Sequence, residues 1–508
     1  MLRRTSLNLP NSLLSAVLLV MAVVAAVALV WLGQSGGAEM VVFVSIAVVV
    51  SIAAFYSNEF GLMAIIFVAA IDGFLKGLSP GWHTQLLKDY LLAICLLRWA
   101  WMSVLGHRRE SVKVPVSIPI LTFIAWVGVQ FLNTRSESVL ISLAGLRMWT
   151  IWLPTFFIAY DTFDTRKKIE RLLVFMIVLM VPMSIYALIQ YQIGLDHLLR
   201  LGPGFSSYTY SYYPGAEGDR WRPPATMIST HALADTLTMV ALMAIGAAVY
   251  FRRHRVAQVA LISTVPLMGV ALMITAVRNA AASAVVGLAA LLLIRRRLDL
   301  AILVAIIGGL AIYQVDVMTG GDAVVRIRSV VERPDYTVKR IGVPFGSAFR
   351  FALKNPLGGG IASGVGTGRM GFSQRTFDPE NQIPFIENEY GRALLELGFP
   401  GLFIFLWMLF AVMRTNYKSY RQATVPRDKW LLAGLFAACV TILARLLVGP
   451  ALYGWPEGPI FWYFVAVINR IPVIEDEELR RSQAPDAATR VTTLGKEKLP
   501  WARGEDER

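Results

Sequence analysis

The chain has 508 residues, of which 56% are apolar and 16% charged, whereas an ordinary soluble domain is about 25% charged. Its apolar residues fall into runs such as 13–32 and 232–250, close to the roughly 20 residues that a helix needs to cross a bilayer. Such a composition excludes a water-soluble protein, because nothing would cover so many helices that are apolar on all sides. The net charge of +14 is spread over the ends of these runs, which is the positive-inside pattern of a membrane protein and not a nucleic-acid-binding patch.

We predict an all-α polytopic membrane protein with about 12–14 transmembrane helices and a large, partly helical periplasmic loop between the late helices. The predicted spans are, in chain order, 12–33, 38–56, 60–76, 86–105, 115–132, 139–159, 169–191, 228–250, 256–276, 279–294, 298–314, 387–413, 429–448 and 457–470.

The basic clusters predict the orientation of the chain. They lie on alternate connections, at 3–4, 107–109, 166–168, 252–255, 295–297 and 414–429, which places both termini in the cytoplasm. The predicted divisions are N-terminal helices 1–192, an aromatic-rich periplasmic loop 193–227, helices 228–314, a large periplasmic loop 315–386, C-terminal helices 387–472 and a disordered cytoplasmic tail 473–508. A loop of some 70 residues is usually functional or disordered, so we expect the working surface on the periplasmic face.

The turn around Arg278 is the first candidate site. Arg278 lies between two apolar spans, beside Thr275 and Asn279, with no acidic residue nearby in sequence. Ionisable groups at the membrane edge are costly to hold and are therefore functional candidates. The alternative is that Arg278 only extends its side chain to the interface, as long basic residues near helix ends do.

The large loop carries a second candidate. A short amphipathic helix containing Arg350 and Lys354 is predicted to stop at Pro356, and a glycine-rich stretch with Arg369 follows. Backbone N–H groups of such glycines can approach a phosphate beside basic side chains. A flexible loop with scattered basic residues is the alternative.

The loop re-enters the membrane at a third candidate, Glu387-Asn388-Glu389-Tyr390. Acidic residues in a first helical turn are ordinarily explained by the helix macrodipole. A half-desolvated carboxylate facing Arg278 and Arg350 can equally act as a general base. Glu387 and Glu389 are two residues apart and point to different sides of a helix, so at most one faces a given site.

The fourth candidate is the aromatic loop, with Tyr212, Tyr213, Trp221 and Arg222. Tyrosines at a membrane interface are commonly belt residues, but this density also suits stacking on sugar rings. No metal-binding motif is present in the sequence, and the two cysteines, Cys95 and Cys439, lie inside apolar runs. We therefore expect no metal and no cofactor.

At these motifs the sequence resembles the O-antigen ligase and polysaccharide polymerase superfamily of bacterial inner membranes. Residues 275–280, Thr-Ala-Val-Arg-Asn-Ala, resemble its Thr-x-Ser-Arg-Gly-Ala turn, with valine and asparagine in place of serine and glycine. Arg350 followed by residues 355–360 resembles the Arg…Pro-Leu-x-Gly-x-Gly element. Residues 387–401 resemble the His-Asn-x-Tyr-Leu…Glu-x-Gly-x-x-Gly entry helix, and residues 221–234 resemble the Arg-x-x-Gly-Thr-Phe segment less closely. Together these motifs cover roughly residues 220–415.

One departure from the family concerns Glu387. It stands where the lipopolysaccharide ligases carry a histidine, so the specific ligase assignment is weaker than the superfamily assignment. A polymerase of exopolysaccharide, capsule or O-antigen fits the pattern better.

The resemblance implies a metal-independent, inverting glycosyltransferase of the bacterial inner membrane, working at the periplasmic face. Its donor would be a glycan on undecaprenyl pyrophosphate, its acceptor a glycan or lipid-linked glycan, and its partners membrane lipids, a chain-length regulator and a flippase. In this scheme the expected catalytic residues are Glu387, Arg278 and Arg350. The expected substrate-binding residues are Glu389, Asn388, Tyr390, Lys354, Arg369, Arg222, Tyr212, Tyr213 and Trp221.

Three other functions stay open. An O-antigen ligase or a protein O-oligosaccharyltransferase shares the same motifs. A transporter or flippase of lipid-linked sugar or of a small anion would instead line a path near the bilayer midplane. The charged candidates gather at one face, with Arg445 and Arg147 as exceptions, and this distribution favours an enzyme.

Overall fold

The computed structural model describes residues 37–78, 82–104, 114–133, 138–210, 212–215, 218–296, 334–363 and 388–483, with Ile386 and a few short segments between 308 and 332. The predicted span 12–33, most of 298–314 and two of the candidate residues, Arg369 and Glu387, lie outside these ranges.

The described chain is almost entirely helical. Its helices are α1 (Gly37–Tyr56), α2 (Asn58–Leu78), α3 (Trp82–Val104), α4 (Ser117–Phe131), α5 (Val139–Thr150), α6 (Leu153–Thr162), α7 (Arg166–Ile193), α8 (Asp196–Leu199), α9 (Thr230–Tyr250), α10 (Arg255–Ile274), α11 (Arg278–Arg295), α12 (Pro334–Lys354), α13 (Glu389–Gln422), α14 (Pro426–Arg445) and α15 (Glu457–Gln483). A 3₁₀ helix (Pro203–Tyr210) and an antiparallel hairpin of β1 (Tyr212–Gly215) and β2 (Gly218–Trp221) form the aromatic loop.

The all-α polytopic character predicted from hydropathy is confirmed. Seven stretches of the described chain are long and apolar enough to cross a membrane: 58–78, 139–162, 166–193, 230–250, 255–274, 278–295 and 389–422. The remaining predicted spans that fall in the described ranges are also helical. α3, α14 and α15 are long but more polar, α4 has only 15 residues, and α1 is apolar over 20 residues, with side chains described mainly from Ala47 onward. The predicted span 139–159 consists of two consecutive helices, α5 and α6. Pro154 lies in the first turn of α6, where its missing N–H needs no partner.

Polar side chains set several helix starts. Ser138, Ser229 and Asn388 are the N-cap residues of α5, α9 and α13, and the side-chain oxygen of each accepts a backbone N–H three residues on, at 3.2, 3.1 and 2.6 Å. These bonds satisfy N–H groups that a helix leaves without an internal partner.

Helix α9 lies at the centre of the bundle. Of its most apolar stretch, 83% of the residues are buried, and it packs on α7, α10, α11 and α14. It meets α14 at Gly246 and Gly434, where a Cβ on Gly246 would lie 2.6 Å from the Trp430 carbonyl oxygen. Small residues allow this approach of two helix backbones, as is common between membrane helices.

Polar contacts join the helix termini at both ends of the bundle. At the Arg166 end, the start of α7 meets the start of α14 (Arg166–Asp428, 2.6 Å) and the last part of α15 (Arg166–Glu478, 2.9 Å). At the Glu389 end, the starts of α9, α11, α13 and α15 gather with the end of α14. The Arg166 end also holds Arg295, which packs over the Trp430 ring, and Arg427, which packs over the Tyr250 ring.

Candidate functional site

A buried ion pair marks the beginning of α13. Arg392 and Glu396 lie one turn apart, with 3.0 Å between the Arg392 Nε and the Glu396 Oε1, and their side chains are 2% and 0% exposed. The guanidinium is sandwiched between the rings of Trp149 and Tyr453, each centred 4.3 Å away. Stacking of this kind suits the planar, weakly hydrated guanidinium and would not suit a lysine.

The second carboxylate oxygen of Glu396 is also held. Its Oε2 accepts the indole N–H of Trp149 at 2.7 Å and the backbone N–H of Ala362 at 3.1 Å. Two nitrogens of Arg392, Nη1 and Nη2, are buried without a hydrogen bond to any described residue. The pair is therefore rigidly placed yet leaves donor groups unused, which is unusual for a buried side chain.

Glu389 connects α13 to the loop 446–456 between α14 and α15. Its Oε2 accepts the backbone N–H groups of Ala451 and Leu452 at 2.9 and 3.2 Å, and its own N–H donates to the Leu446 carbonyl at 3.0 Å. Glu389 is 1% exposed. Its carboxylate thus fixes the loop that carries Tyr453, and through Tyr453 it orders one face of the Arg392 sandwich.

A second buried pair lies beside the first. The Nε–H of Arg445, the last residue of α14, donates a hydrogen bond to Asp235 Oδ2 of α9 at 3.0 Å. The two side chains are 6% and 3% exposed. Glu457 is buried at the start of α15 and lies close enough to Asp235 and Arg445 to interact electrostatically with both. Four helix ends therefore contribute buried charged groups to this region: the starts of α9, α13 and α15 and the end of α14.

The cavity next to this network is small. It is lined by aromatic and apolar side chains together with Glu389, and it has room for about one water molecule. An oligosaccharide is far larger than this space. The Arg392, Glu396 and Glu389 side chains therefore do not form an open sugar-binding cleft.

The Arg278 turn lies at the same end of the bundle. Arg278 is the first residue of α11 and is half-buried, and Val277 and Ala280 beside it pack against Ala234, the neighbour of Asp235. Thr275 shapes the turn: its hydroxyl donates to the Leu272 carbonyl at 2.6 Å and accepts the Val277 N–H at 3.4 Å.

Arg350 and Lys354 are both exposed on α12. Arg350 donates from Nη2 to the Ser347 hydroxyl at 3.3 Å. The helix packs on the first turns of α13 through Ala348 and Ala352, which lie against Leu394 and Leu395. The structure thus brings the α12 cations and the α13 network into neighbouring elements.

The glycines after α12 serve a close contact between two backbones. Gly359 donates its N–H to the Leu395 carbonyl at 2.8 Å, and Phe399 donates to the Pro356 carbonyl at 3.0 Å. Gly358 and Gly398 have φ of +88° and +71°, and a Cβ on either would lie about 2.5 Å or less from backbone atoms of the other segment. Gly398 also breaks α13 into two helices. The N–H groups of Gly358 and Gly359 are already donated within the protein.

The other predicted binding residues divide into three groups. Asn388 caps α13, and Tyr390 donates its hydroxyl to the Leu443 carbonyl at 3.2 Å, so both have structural bonds. Tyr212 on β1 is 38% exposed and open to a ligand. Trp221, in contrast, is 7% exposed because its ring packs with Leu195, Leu198 and Phe205.

Four remaining candidates are described in part or not at all. Arg222 is half-buried, and its carbonyl accepts the Thr230 hydroxyl at 3.2 Å. Only the backbone of Tyr213 is described, and Glu387 and Arg369 lie outside the described residues.

Sequence reasoning missed Arg392 and Asp235 as site residues, and used Glu396 only as part of a motif. A usable signal was present, because Asp235 and Arg445 interrupt otherwise apolar runs and ionisable residues there mark functional sites. Their pairing across 210 positions follows from the helix packing and cannot be read from spacing. The described residues contain no group of three potential metal ligands.

No protein-family model matches this chain, and no curated protein matches it.

Proposed function

We propose that the chain is a membrane glycosyltransferase that transfers or polymerises a glycan carried on undecaprenyl pyrophosphate, acting at the periplasmic face of a bacterial inner membrane. The observation that carries this proposal is the gathering of buried arginine–carboxylate pairs at the Glu389 end, beside the Arg278 turn and the cationic helix α12. A polymerase of exopolysaccharide, capsule or O-antigen is the preferred form.

The chemistry needs little beyond positioned charge. In the proposed reaction an acceptor hydroxyl attacks the anomeric carbon, the bond from that carbon to the pyrophosphate oxygen breaks, and undecaprenyl pyrophosphate leaves with both electrons. Guanidinium groups can stabilise the charge that develops on the departing oxygens through paired hydrogen bonds. Arg278 and Arg350 are assigned this task, with Lys354 and Arg369 as weaker helpers. A direct displacement inverts the anomeric configuration.

Glu387 is assigned as the base that accepts the proton of the attacking hydroxyl. Glu389, the other candidate, is engaged by the N–H groups of Ala451 and Leu452, and this engagement favours a supporting role. Asn388 caps α13 and Glu389 fixes the adjacent loop, and Glu387 directly precedes these two residues in the sequence. A general base needs placement within reach of the proton before its pKa matters.

The Arg392–Glu396 and Arg445–Asp235 pairs are assigned to positioning. They are too deeply buried to reach a glycan, but they fix the first turns of α13 and the loop 446–456. A rigid support of this kind keeps reacting groups in productive geometry, and small displacements are costly in rate.

The first experiment tests the reaction itself. Purified protein is given an undecaprenyl-pyrophosphate oligosaccharide, and the products are separated by size. Elongated glycan on the lipid indicates a polymerase, and transfer to lipid A core or to a protein acceptor indicates a ligase or an oligosaccharyltransferase. Movement of the intact lipid between leaflets, without any new glycosidic bond, would replace the enzyme with a flippase.

The second experiment tests the site. Arg278→Ala and Glu387→Gln should abolish polymer in cells while the amount of protein in the membrane is unchanged. Arg253→Ala is the matched control, since this arginine is exposed in the turn between α9 and α10, near the opposite end of the bundle, and should retain normal polymer. Normal polymer in both site variants would refute the assignment.

A further inference from the structure

Helix α12 is unlike the other long helices because it has two chemically different open sides. Its packed side holds Ala348 and Ala352 against α13. The stretch 334–354 is not among the seven that are apolar enough to cross a membrane. A helix with one apolar side and one basic side typically lies in the interface plane of a bilayer instead of spanning it.

The first open side is apolar. Val338, Phe345, Phe349 and Leu353 are 67%, 37%, 44% and 62% exposed, and Leu357 just after the helix is 60% exposed. Spacings of seven, four and four residues place the four helical side chains on one stripe. Such a contiguous apolar surface is costly in water and marks a contact with another apolar phase.

A basic edge runs along this stripe. Lys339, Arg350 and Lys354 are exposed, and spacings of eleven and four residues place them on one side of the helix. Neither lysine forms an ion pair with any residue of the described chain, and within it the Arg350 side chain hydrogen-bonds to the Ser347 hydroxyl. Cations in this position complement the phosphates of lipid headgroups when the apolar stripe faces the acyl chains.

The stripe continues the apolar surfaces of two other helices. The Phe349 ring meets Phe399 of α13 edge-on, with centroids 5.8 Å apart, and Phe403 one turn further along is 74% exposed. On the other flank Gln130 of α4 donates to the Leu357 carbonyl at 2.8 Å, next to Leu132, which is 76% exposed. Exposed apolar side chains on helices of this composition face lipid, so the stripe lies at the edge of the same lipid-facing surface.

We infer that α12 is an interfacial helix that rests on the lipid monolayer at the Glu389 end. Its apolar stripe contacts the upper acyl chains, and Lys339, Arg350 and Lys354 contact lipid phosphates. This orientation does not depend on the glycosyltransferase proposal. If both hold, the interfacial helix brings Arg350 to the depth at which a lipid-linked pyrophosphate presents its charge.

The test measures how close α12 lies to lipid in the full chain. Single cysteines replace Leu353, Lys339, Phe403 or Tyr212 in a Cys95→Ala, Cys439→Ala background, carry an environment-sensitive fluorophore, and are reconstituted in nanodiscs of phosphatidylcholine and phosphatidylglycerol. Lipids brominated on the upper acyl chain quench probes in the hydrocarbon, and spin-labelled headgroups quench probes at the interface. Phe403 is the lipid-facing reference, and Tyr212 on the hairpin is the reference outside the lipid.

The Leu353 probe should be quenched by brominated chains nearly as strongly as the Phe403 probe and roughly threefold more than the Tyr212 probe, because the stripe is buried in the upper monolayer. The Lys339 probe should respond more to headgroup quenchers than to brominated chains. Leu353 quenching equal to that of Tyr212 would overturn the inference.

Two further outcomes are decisive. Protection of the Leu353 probe from both lipid quenchers and aqueous iodide would mean that protein, such as the segment 364–385, covers the stripe, and this result also overturns the inference. If the Leu353 variant does not reconstitute, Val338→Cys reports on the same stripe from its other end, with the same expected quenching.

Discussion

The two ends of the helix bundle treat charge in different ways. At the Glu389 end the Arg392–Glu396 and Arg445–Asp235 side chains are at most 6% exposed. At the Arg166 end the pairs reach solvent: Glu478 is 48% exposed opposite Arg166, and Arg171 is 62% exposed opposite Glu59. Asp428 is the exception there, with a fully buried side chain paired to Arg166.

This difference in burial bears on the role of the ion pairs at each end. Exposed ion pairs contribute little to stability, because water competes for both charges. Buried pairs lose their hydration and often stabilise no more than apolar side chains would, although breaking one is costly. Two such pairs at one end therefore support the positioning role proposed for them, whereas the pairs at the Arg166 end join helix termini.

The largest expected effect comes from breaking the more buried pair. Arg392→Ala leaves the Glu396 carboxylate buried without its cation and should lower the free energy of unfolding by about 3–5 kcal/mol. Reversible unfolding in mixed detergent micelles, followed by tryptophan fluorescence, measures this change.

A matched variant separates charge from packing at this pair. Replacing both residues, Arg392→Met with Glu396→Gln, keeps a similar volume and removes the uncompensated charge, so it should recover much of the stability that Arg392→Ala loses. If the pair positions groups for the proposed reaction, the double variant should still lack the proposed transferase activity. Stability unaffected by Arg392→Ala would show that the Glu389 end is no more demanding than the Arg166 end.

A backbone contact gives the next effect. Gly398→Ala forces a Cβ toward the Pro356 carbonyl oxygen at 2.3 Å and into a φ of +71°, where strain alone costs about 1–3 kcal/mol. Gly346→Ala in α12 is the control, since a Cβ there meets nothing within 4 Å and alanine favours helix by up to about 1 kcal/mol. Thermal unfolding of both variants in one detergent gives the comparison. Equal melting temperatures would contradict the close packing of α13 on residues 356–360.

The interaction free energy between Asp235 of α9 and Arg445 of α14 is expected to be smaller. In a double-mutant cycle of Asp235→Ala and Arg445→Ala, the two changes should be less damaging together than their sum, by about 0.5–3 kcal/mol, because the residues share one buried contact. Glu457→Gln added to the cycle tests whether the third carboxyl belongs to the same network. Strict additivity of Asp235 and Arg445 would show that the pair contributes nothing as a pair.

The architecture could be predicted further than the site. Runs of apolar residues have an intrinsic length scale set by the bilayer, so the helices from Gly37 to Arg295 and from Glu389 onward begin close to their predicted places. The ends were less accurate: α13 ends at Gln422 instead of 413, and α15 ends at Gln483 instead of 470, within the segment that was predicted to be a disordered tail. The hairpin at Tyr212–Trp221 was not foreseen, since it is short and lies in a loop rich in aromatic residues. The N-caps Ser229 and Asn388 depend only on neighbouring residues, and such caps can be predicted from the sequence.

The site was harder because its geometry is made by helix packing. Arg278 could be predicted from the residues beside it in the sequence. The stacking of Arg392 between Trp149 and Tyr453 could not, because these rings are 243 and 61 positions away along the chain and their spacing carries no signal of the contact. Trp221 shows the converse: the density of aromatic residues in its loop suggested sugar stacking, but its ring packs in a small apolar core. Whether a polar or aromatic side chain is exposed or buried depends on contacts between segments that are distant in sequence. The periodicity of the sequence contains no information about these contacts.

The smallest effect is expected at the Arg166 end. Glu478→Gln removes one exposed partner of Arg166 while Asp428 still pairs with it, and should change the free energy of unfolding by only about 0.2–1 kcal/mol. The difference should shrink further in 1 M salt, where charges at the surface are screened beyond about 3 Å. Glu59→Gln, which unpairs the exposed Arg171, should behave alike. The measurement is the same reversible unfolding that reports on Arg392→Ala, so the two ends are read on one scale. A loss of several kcal/mol for Glu478→Gln would mean that charge at the Arg166 end is as structurally demanding as at the Glu389 end, and burial alone could then no longer assign function to one of them.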